Sequence, residues 1–231
     1  MDFVPTVSDE YVTQIRRWHE GAYARGRTEG AEAQTFDYLG RVIVVPPQVM
    51  PITPVSHLLG QAVLDEVRPG DRVLDMGTGS GVNAVLAAST AHRVLAVDIN
   101  PYALDAARAN AERNGVADRV EVRYSDVFSA VDETFDVMVF DPPFRWFAPR
   151  DLLEAAMTDA NYRAMTEFFR EADRHLAPDG RLLIFFGSSG DLGYLRGLAA
   201  ENGFAAEVVA REDLVRDDWT VEYLTFRMTR R

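Results

Sequence analysis

The chain has 231 residues, 47 % of them apolar, with 24 basic against 36 acidic side chains and a formal net charge of -12. That is enough for one large α/β unit with a small extension and a sizeable core, and no apolar run reaches the length of a membrane span. The absence of cysteine excludes disulfides, thiolate metal sites and cysteine nucleophiles, and the absence of lysine excludes Schiff-base chemistry.

The acidic balance argues against a nucleic-acid partner, because basic residues form nothing longer than pairs such as Arg230-Arg231. The N-terminus, MDFVPTVSDE, has neither a basic nor an apolar signal region, so the expected location is cytoplasmic and no membrane partner is expected. His19, His57, His92 and His175 are scattered without metal-ligand spacing, so no metal is expected.

In chain order, residues 8–33 read as a helix that glycines then break, and residues 36–49 as a hairpin-like extended segment closed by Pro46-Pro47. Residues 1–55 therefore form an N-terminal extension, and the regular pattern occupies 56–231. It begins with an amphipathic helix over 56–67 and a short buried strand over 73–76. A helix over 82–90, a strand over 94–97 and a helix over 101–114 follow, the last with Pro at its start and Gly115 past its end. Strands over 120–124 and 135–140 precede a helix over 162–176, which Pro178-Asp179-Gly180 ends. A strand over 181–186, a helix over 192–202 and strands over 205–210 and 223–229 complete the chain. Alternation at this spacing predicts parallel βαβ units in a doubly wound, Rossmann-like seven-stranded sheet. The last two strands, with only a loop over 211–222 between them, should pair antiparallel at one edge.

"VLDMGTGSGVNA" (73–84) places Gly77, Gly79 and Gly81 between the first strand of the sheet and its helix. Glycines there permit a tight turn and close approach of backbone to a ligand. The dinucleotide fingerprint needs glycine at position 82, which is Val82. Asp98 falls at the carboxyl end of the next strand and Asp126, with Val127 beside it, at the end of the third. Open α/β sheets bind ligands in that crevice. Carboxylates there suit ribose hydroxyls and an adenine amino group, and no basic residue in the glycine loop balances a pyrophosphate. The pattern describes a site for adenosine joined to a non-phosphate tail.

The stretch 73–143, with "VLDMGTGSG", "AVDINPYALDAARANAERNG", "YSDVF" and "DPPF", resembles the class I S-adenosylmethionine-dependent methyltransferases, and the likeness extends over roughly 56–231. The resemblance implies that Asp75 and Gly77, Gly79 and Gly81 face the methionine part of the cofactor, Asp98 the ribose and Asp126 the adenine. Within the class the chain looks closest to the amino-methylating branch, which includes release-factor glutamine methyltransferases and small-domain ribosomal RNA guanine methyltransferases. It also implies that the N-terminal segment covers the substrate.

Asp141-Pro142-Pro143-Phe144 matches that branch's acceptor motif. An amide or aromatic amine attacks a methyl group poorly because its lone pair is delocalised. The Asp141 carboxylate and the Pro142 carbonyl can each accept one N–H, which aims the lone pair and makes positioning the main catalytic effect. The prolines stiffen the acceptors, and Phe144 offers a stacking face for a planar substrate. Arg145 and Trp146 extend the motif as candidate substrate contacts.

Asp stands where the glutamine and guanine branches carry Asn. A carboxylate favours a nitrogen that becomes cationic, so the sequence points to N-methylation of an amino or guanidine-like group on a small planar molecule. Methylation of a protein glutamine or an RNA base is the alternative, and a non-catalytic S-adenosylmethionine-binding partner subunit is the third reading.

Overall fold

The apolar runs of the second half are near-continuous rather than alternating, as strands buried on both faces require. The computed structural model describes residues 3–216 and 218–231. It opens with α1 (Asp9–Glu29), capped by the Ser8 side chain, and the antiparallel hairpin β1 (Gln34–Tyr38) and β2 (Arg41–Val45). Leu39 and Gly40 turn that hairpin, both with positive φ, the two-residue geometry that matches strand twist. The expected glycine break in α1 does not occur. Gly21 and Gly26 sit within the continuous helix, Gly26 at ordinary contact distance from Leu153 and Met157.

The alternating elements follow as α2 (His57–Glu66), β3 (Arg72–Met76), α3 (Val82–Ala87), β4 (Arg93–Asp98), α4 (Pro101–Arg113), β5 (Val120–Tyr124) and β6 (Phe135–Phe140). Then come the short helices α5 (Leu152–Ala155) and a 3-10 turn (Ala160–Tyr162), followed by α6 (Arg163–His175), β7 (Leu176–Gly187), α7 (Leu192–Glu201), β8 (Phe204–Arg216) and β9 (Trp219–Arg230). The seven-stranded sheet runs in the order β5-β4-β3-β6-β7-β9-β8. Its first five strands are parallel, and β9 pairs antiparallel with both β7 and β8.

Two expectations about the last strands are corrected. The expected loop over 211–222 is largely strand: residues 211–216 extend β8 and residues 219–222 extend β9, paired out to Arg216–Trp219. Val221 is buried in the hydrophobic cluster and Leu214 and Trp219 pack against it, while Arg211, Asp213 and Val215 are exposed. Pro178-Asp179-Gly180 does not precede β7 but lies inside it, as an irregularity between the Phe135–Leu176 and Val137–Arg181 pairings.

Residues 3–55 pack into the same hydrophobic cluster as the sheet, through Ile15, Trp18, Ile43, Val45 and Val49. Polar staples add to this. The amides of Asn110 in α4 and of Asn114, its C-cap, bond Val44 and Val42 of β2 in both directions, at 2.8–3.1 Å. Asn110 Nδ2 also donates to the Ser80 carbonyl at 2.8 Å, so one side chain ties hairpin to glycine loop.

Candidate active site

The carboxyl ends of β3, β4, β5 and β6 open into a cavity of about 590 Å³. Gly77, Gly79, Asp98, Asp126, Val127, Asp141, Pro142, Phe144 and Arg145 all line it, so most of the sequence candidates converge. Residues of α1 (Trp18, Ala22, Gly26), the 49–56 segment and the 155–160 segment also line it.

The glycines divide by role. Gly77 and Gly79 have φ of 65° and 54°; a Cβ on Gly79 meets nothing within 4 Å, and Gly79 faces the cavity. Gly81 is not a cavity residue. Its φ is 80°, and a Cβ would come within 2.7 Å of Ala107 Cα, so this glycine lets α3 and α4 approach. Asp75 also lies outside the wall. It is 2 % exposed beneath the loop and accepts from the Thr78 hydroxyl at 2.5 Å and the Ala84 N–H at 3.0 Å. Asp98 accepts from the Gly79 N–H at 2.9 Å and the Asn100 N–H at 2.8 Å. Asn100, not Asp98, caps α4, through the Tyr102 N–H.

Three carboxylates therefore share one field. Burial raises Asp75 to about 7, aided by the charge of Asp98 and opposed by the Thr78 and Ala84 bonds. Burial also raises Asp98, against its backbone bonds. Asp141 is raised to about 7, first by the protein around it and then by the charge of Asp75. Its side chain is reached by solvent, and this accessibility is to a concave cavity rather than open surface, which reconciles exposure with desolvation. The Tyr38 phenol, buried in β1, lies in the field of Asp141 and is raised by burial and by that charge.

Asp126 is paired with Arg163 at 2.8 Å, a partner with no sequence signal, since the two lie 37 residues apart. Phe144 is 9 % exposed and lies 5.6 Å from Phe185, 4.9 Å from Phe186 and 6.2 Å from Tyr223, centroid to centroid. Its carbonyl accepts from the Tyr162 hydroxyl at 2.5 Å, and that hydroxyl accepts from the Asp191 N–H at 2.9 Å. Gly190 belongs here because a Cβ would lie 2.1 Å from that carbonyl. Trp146 departs from expectation: it is absent from the cavity wall and packs with Phe3 at 5.2 Å, Phe147 at 5.2 Å and Tyr162 at 5.7 Å. The aromatic cluster offered more apolar contact to the indole than the cavity did. His57 starts α2, bonding the Pro54 carbonyl and Glu212, and His19 is buried against Glu154 at 2.7 Å.

The model of the methyltransferase small domain family matches residues 52–212. The chain belongs to that family. It is 36 % identical over 168 residues to the release factor glutamine methyltransferase of Cereibacter sphaeroides, covering 66 % of this chain and 59 % of the relative. It is 38 % identical over 129 residues to the ribosomal protein L11 methyltransferase of Thermus thermophilus, covering 56 % and 43 %. The chain thus spans about half the length of these curated relatives. The fold matches the crystal structure of ribosomal protein L11 methylase from Lactobacillus delbrueckii subsp. bulgaricus, with a TM-score of 0.60, 22 % identity, and coverage of 81 % of this chain and 84 % of that one.

The family's cofactor is S-adenosylmethionine, and the residues of this methyltransferase domain fit it. Gly79 leaves open a space that a Cβ would enter. Three carboxylates with raised affinity for protons bear on one cavity, and such a field favours a cationic ligand. Asp98 at the end of β4 and Asp126 after β5 lie on the wall of the same cavity.

Proposed function

We propose that the chain is an S-adenosylmethionine-dependent N-methyltransferase whose acceptor is the side-chain amide of a protein glutamine. The observation that carries this reading is Asp141: a carboxylate at the end of β6, on the cavity wall, followed by two prolines and a buried phenylalanine.

When bound, the cofactor supplies an electrophilic methyl group. Gly77 and Gly79 give its methionine part room, and Asp75 acts only through its charge. Asp141 accepts one N–H of the acceptor and the Pro142 carbonyl a second, so the nitrogen lone pair is held in line with the methyl group. Phe144 flanks the planar group. The acceptor nitrogen must lose a proton when it is methylated, and Asp141 would take it at Oδ. A carboxyl that titrates at about 7 is suited to that task at neutral pH.

The same value removes the objection to an amide acceptor. With its proton affinity raised this far, the Asp141 carboxylate is a stronger base than an ordinary Asp and can take the proton that an amide nitrogen must lose on methylation. The similarity to release factor and L11 methyltransferases supports a protein acceptor. A small free acceptor is the second reading, favoured by the way α1 and the 49–56 segment wall the cavity; covering the acceptor would then be the role of the first 55 residues. The net charge of -12 weighs against RNA.

The test is incubation of an extract with methyl-tritiated cofactor and the protein, followed by separation into protein, RNA and small-molecule fractions. Label in protein, recovered as N-methylglutamine after complete digestion, supports the proposal. Label confined to RNA or small molecules overturns the protein acceptor.

A further inference from the structure

The cavity holds a charge that the methyl-transfer reading leaves unused. Arg145 is 7 % exposed and lines the cavity beside Phe144. Its Nη2 donates to the Ser189 hydroxyl at 3.0 Å, and its buried Nε–H has no hydrogen-bond partner among the described residues. Among the described residues no carboxylate pairs with it. The titratable groups whose charge bears on it are the phenols of Tyr223 and Tyr162 and, on the other side, the His19 imidazole; burial pushes the Tyr162 phenol up, so it stays neutral.

The contrast within the same chain is instructive. Arg181 is equally buried, but Glu66 at 3.2 Å and Asp71 at 3.0 Å neutralise it. A guanidinium does not escape burial by losing its proton, so an enclosed one without a counter-ion is costly unless an anion is brought to it. Its backbone is fixed: the Arg145 N–H donates to the Met157 carbonyl at 3.4 Å, and its carbonyl accepts from the Asp159 N–H at 2.7 Å.

We propose that Arg145 anchors a carboxylate carried by the methyl acceptor, so that the acceptor presents a nitrogen to Asp141 and an acid group to Arg145 in one cavity. The proposal rests on the reading of Asp141 as the acceptor side of the site. A carboxylate fits better than a phosphate. One guanidinium offsets one charge, and a dianion would meet repulsion from Asp75, Asp98 and Asp141. The fork of the guanidinium matches a carboxylate through two N–H donors. The acid group is either that of a free amino-acid-like molecule or an acidic residue next to the methylated side chain of a protein.

The test follows the Arg145 Nε–H resonance in the full-length protein labelled with 15N-arginine and loaded with S-adenosylhomocysteine; the resonance is assigned by its loss in Arg145→Lys and Arg145→Gln. Acetate should move it saturably, and acetamide, its neutral counterpart, should not. N-acetylglutamine should bind roughly tenfold tighter than N-acetylglutamine amide. Ser189→Ala, which leaves the guanidinium in place, should keep the response. Tighter binding of a blocked peptide with Asp beside Gln than of N-acetylglutamine assigns the carboxylate to a protein, and the reverse order to a free molecule. No response to any carboxylate, or an equal response to acetamide, overturns the proposal. Because no methyl transfer is read, that failure leaves the assignment of Asp141 intact, and failure of methyl transfer in turn leaves the carboxylate response measurable.

Discussion

Replacing Asp75 by Asn removes a charge from beneath the glycine loop while keeping an oxygen to accept from Thr78 and Ala84. Asp75 is 2 % exposed and titrates at about 7 instead of 3.8. Between those values the native state holds a proton that the unfolded chain releases, so stability falls as pH rises through the window and is level above it. At about 1.4 kcal/mol per pH unit the full loss is about 4 kcal/mol, of which about 3 kcal/mol falls between pH 5 and pH 8. The Asn amide adds N–H donors whose burial costs about 1–3 kcal/mol. Asp75→Asn should therefore be more stable than the parent at pH 8 by roughly 1–3 kcal/mol, and equal to it or less stable by up to roughly 2 kcal/mol at pH 5. Urea unfolding of both proteins at the two pH values measures this. The variant should also discriminate less between S-adenosylmethionine and its uncharged-sulfur product, because one carboxylate has left the field. An identical stability difference at pH 5 and pH 8 would refute the reasoning, since Asp75 would then titrate near its ordinary value.

The two glycine roles separate by mutation. Gly81→Ala combines a left-handed backbone with a 2.7 Å clash against Ala107 and should destabilise by about 2–5 kcal/mol, read by denaturation. Gly79→Ala meets no atom within 4 Å and should cost only the backbone strain while weakening S-adenosylhomocysteine binding, read by calorimetry. Trp146→Ala should lower stability by about 3–5 kcal/mol and leave cofactor affinity unchanged, because the indole packs away from the cavity. Asp191 accepts from the Thr6 N–H at 2.6 Å and the Tyr194 N–H at 3.0 Å; Asp191→Ala should release the N-terminal segment and speed proteolysis within residues 3–8.

The order of strands and helices was legible because each strand is a short apolar run bounded by turn residues, and each helix after β3 carries a start or stop signal such as Pro101 or Gly115. The convergence of Asp98, Asp126 and Asp141 was legible because open parallel sheets gather their carboxyl ends on one rim. What escaped depends on distant partners. Nothing local distinguishes Gly81, wedged against a helix, from Gly79, facing a ligand. Trp146 and Arg145 are adjacent, yet the structure sends one into an aromatic cluster and the other to the cavity wall. The long β8–β9 ribbon read as a loop because its charged, exposed residues mimic one; its order comes from cross-strand pairing. Asn110 sat in a helix and Asn114 at its end, with no sign that they would bond a hairpin about 70 residues earlier.

The central claim is that the Asp141 carboxyl orients the acceptor nitrogen. The most direct measurement compares methyl transfer and S-adenosylhomocysteine affinity in the parent, Asp141→Asn and Asp141→Ala. The account predicts that Asp141→Ala loses about 10²–10³-fold in kcat with cofactor affinity retained, that Asp141→Asn keeps part of the rate through its remaining carbonyl, and that the product carries its methyl group on nitrogen. Full activity in Asp141→Ala, or a methyl group found on oxygen or carbon, would contradict it.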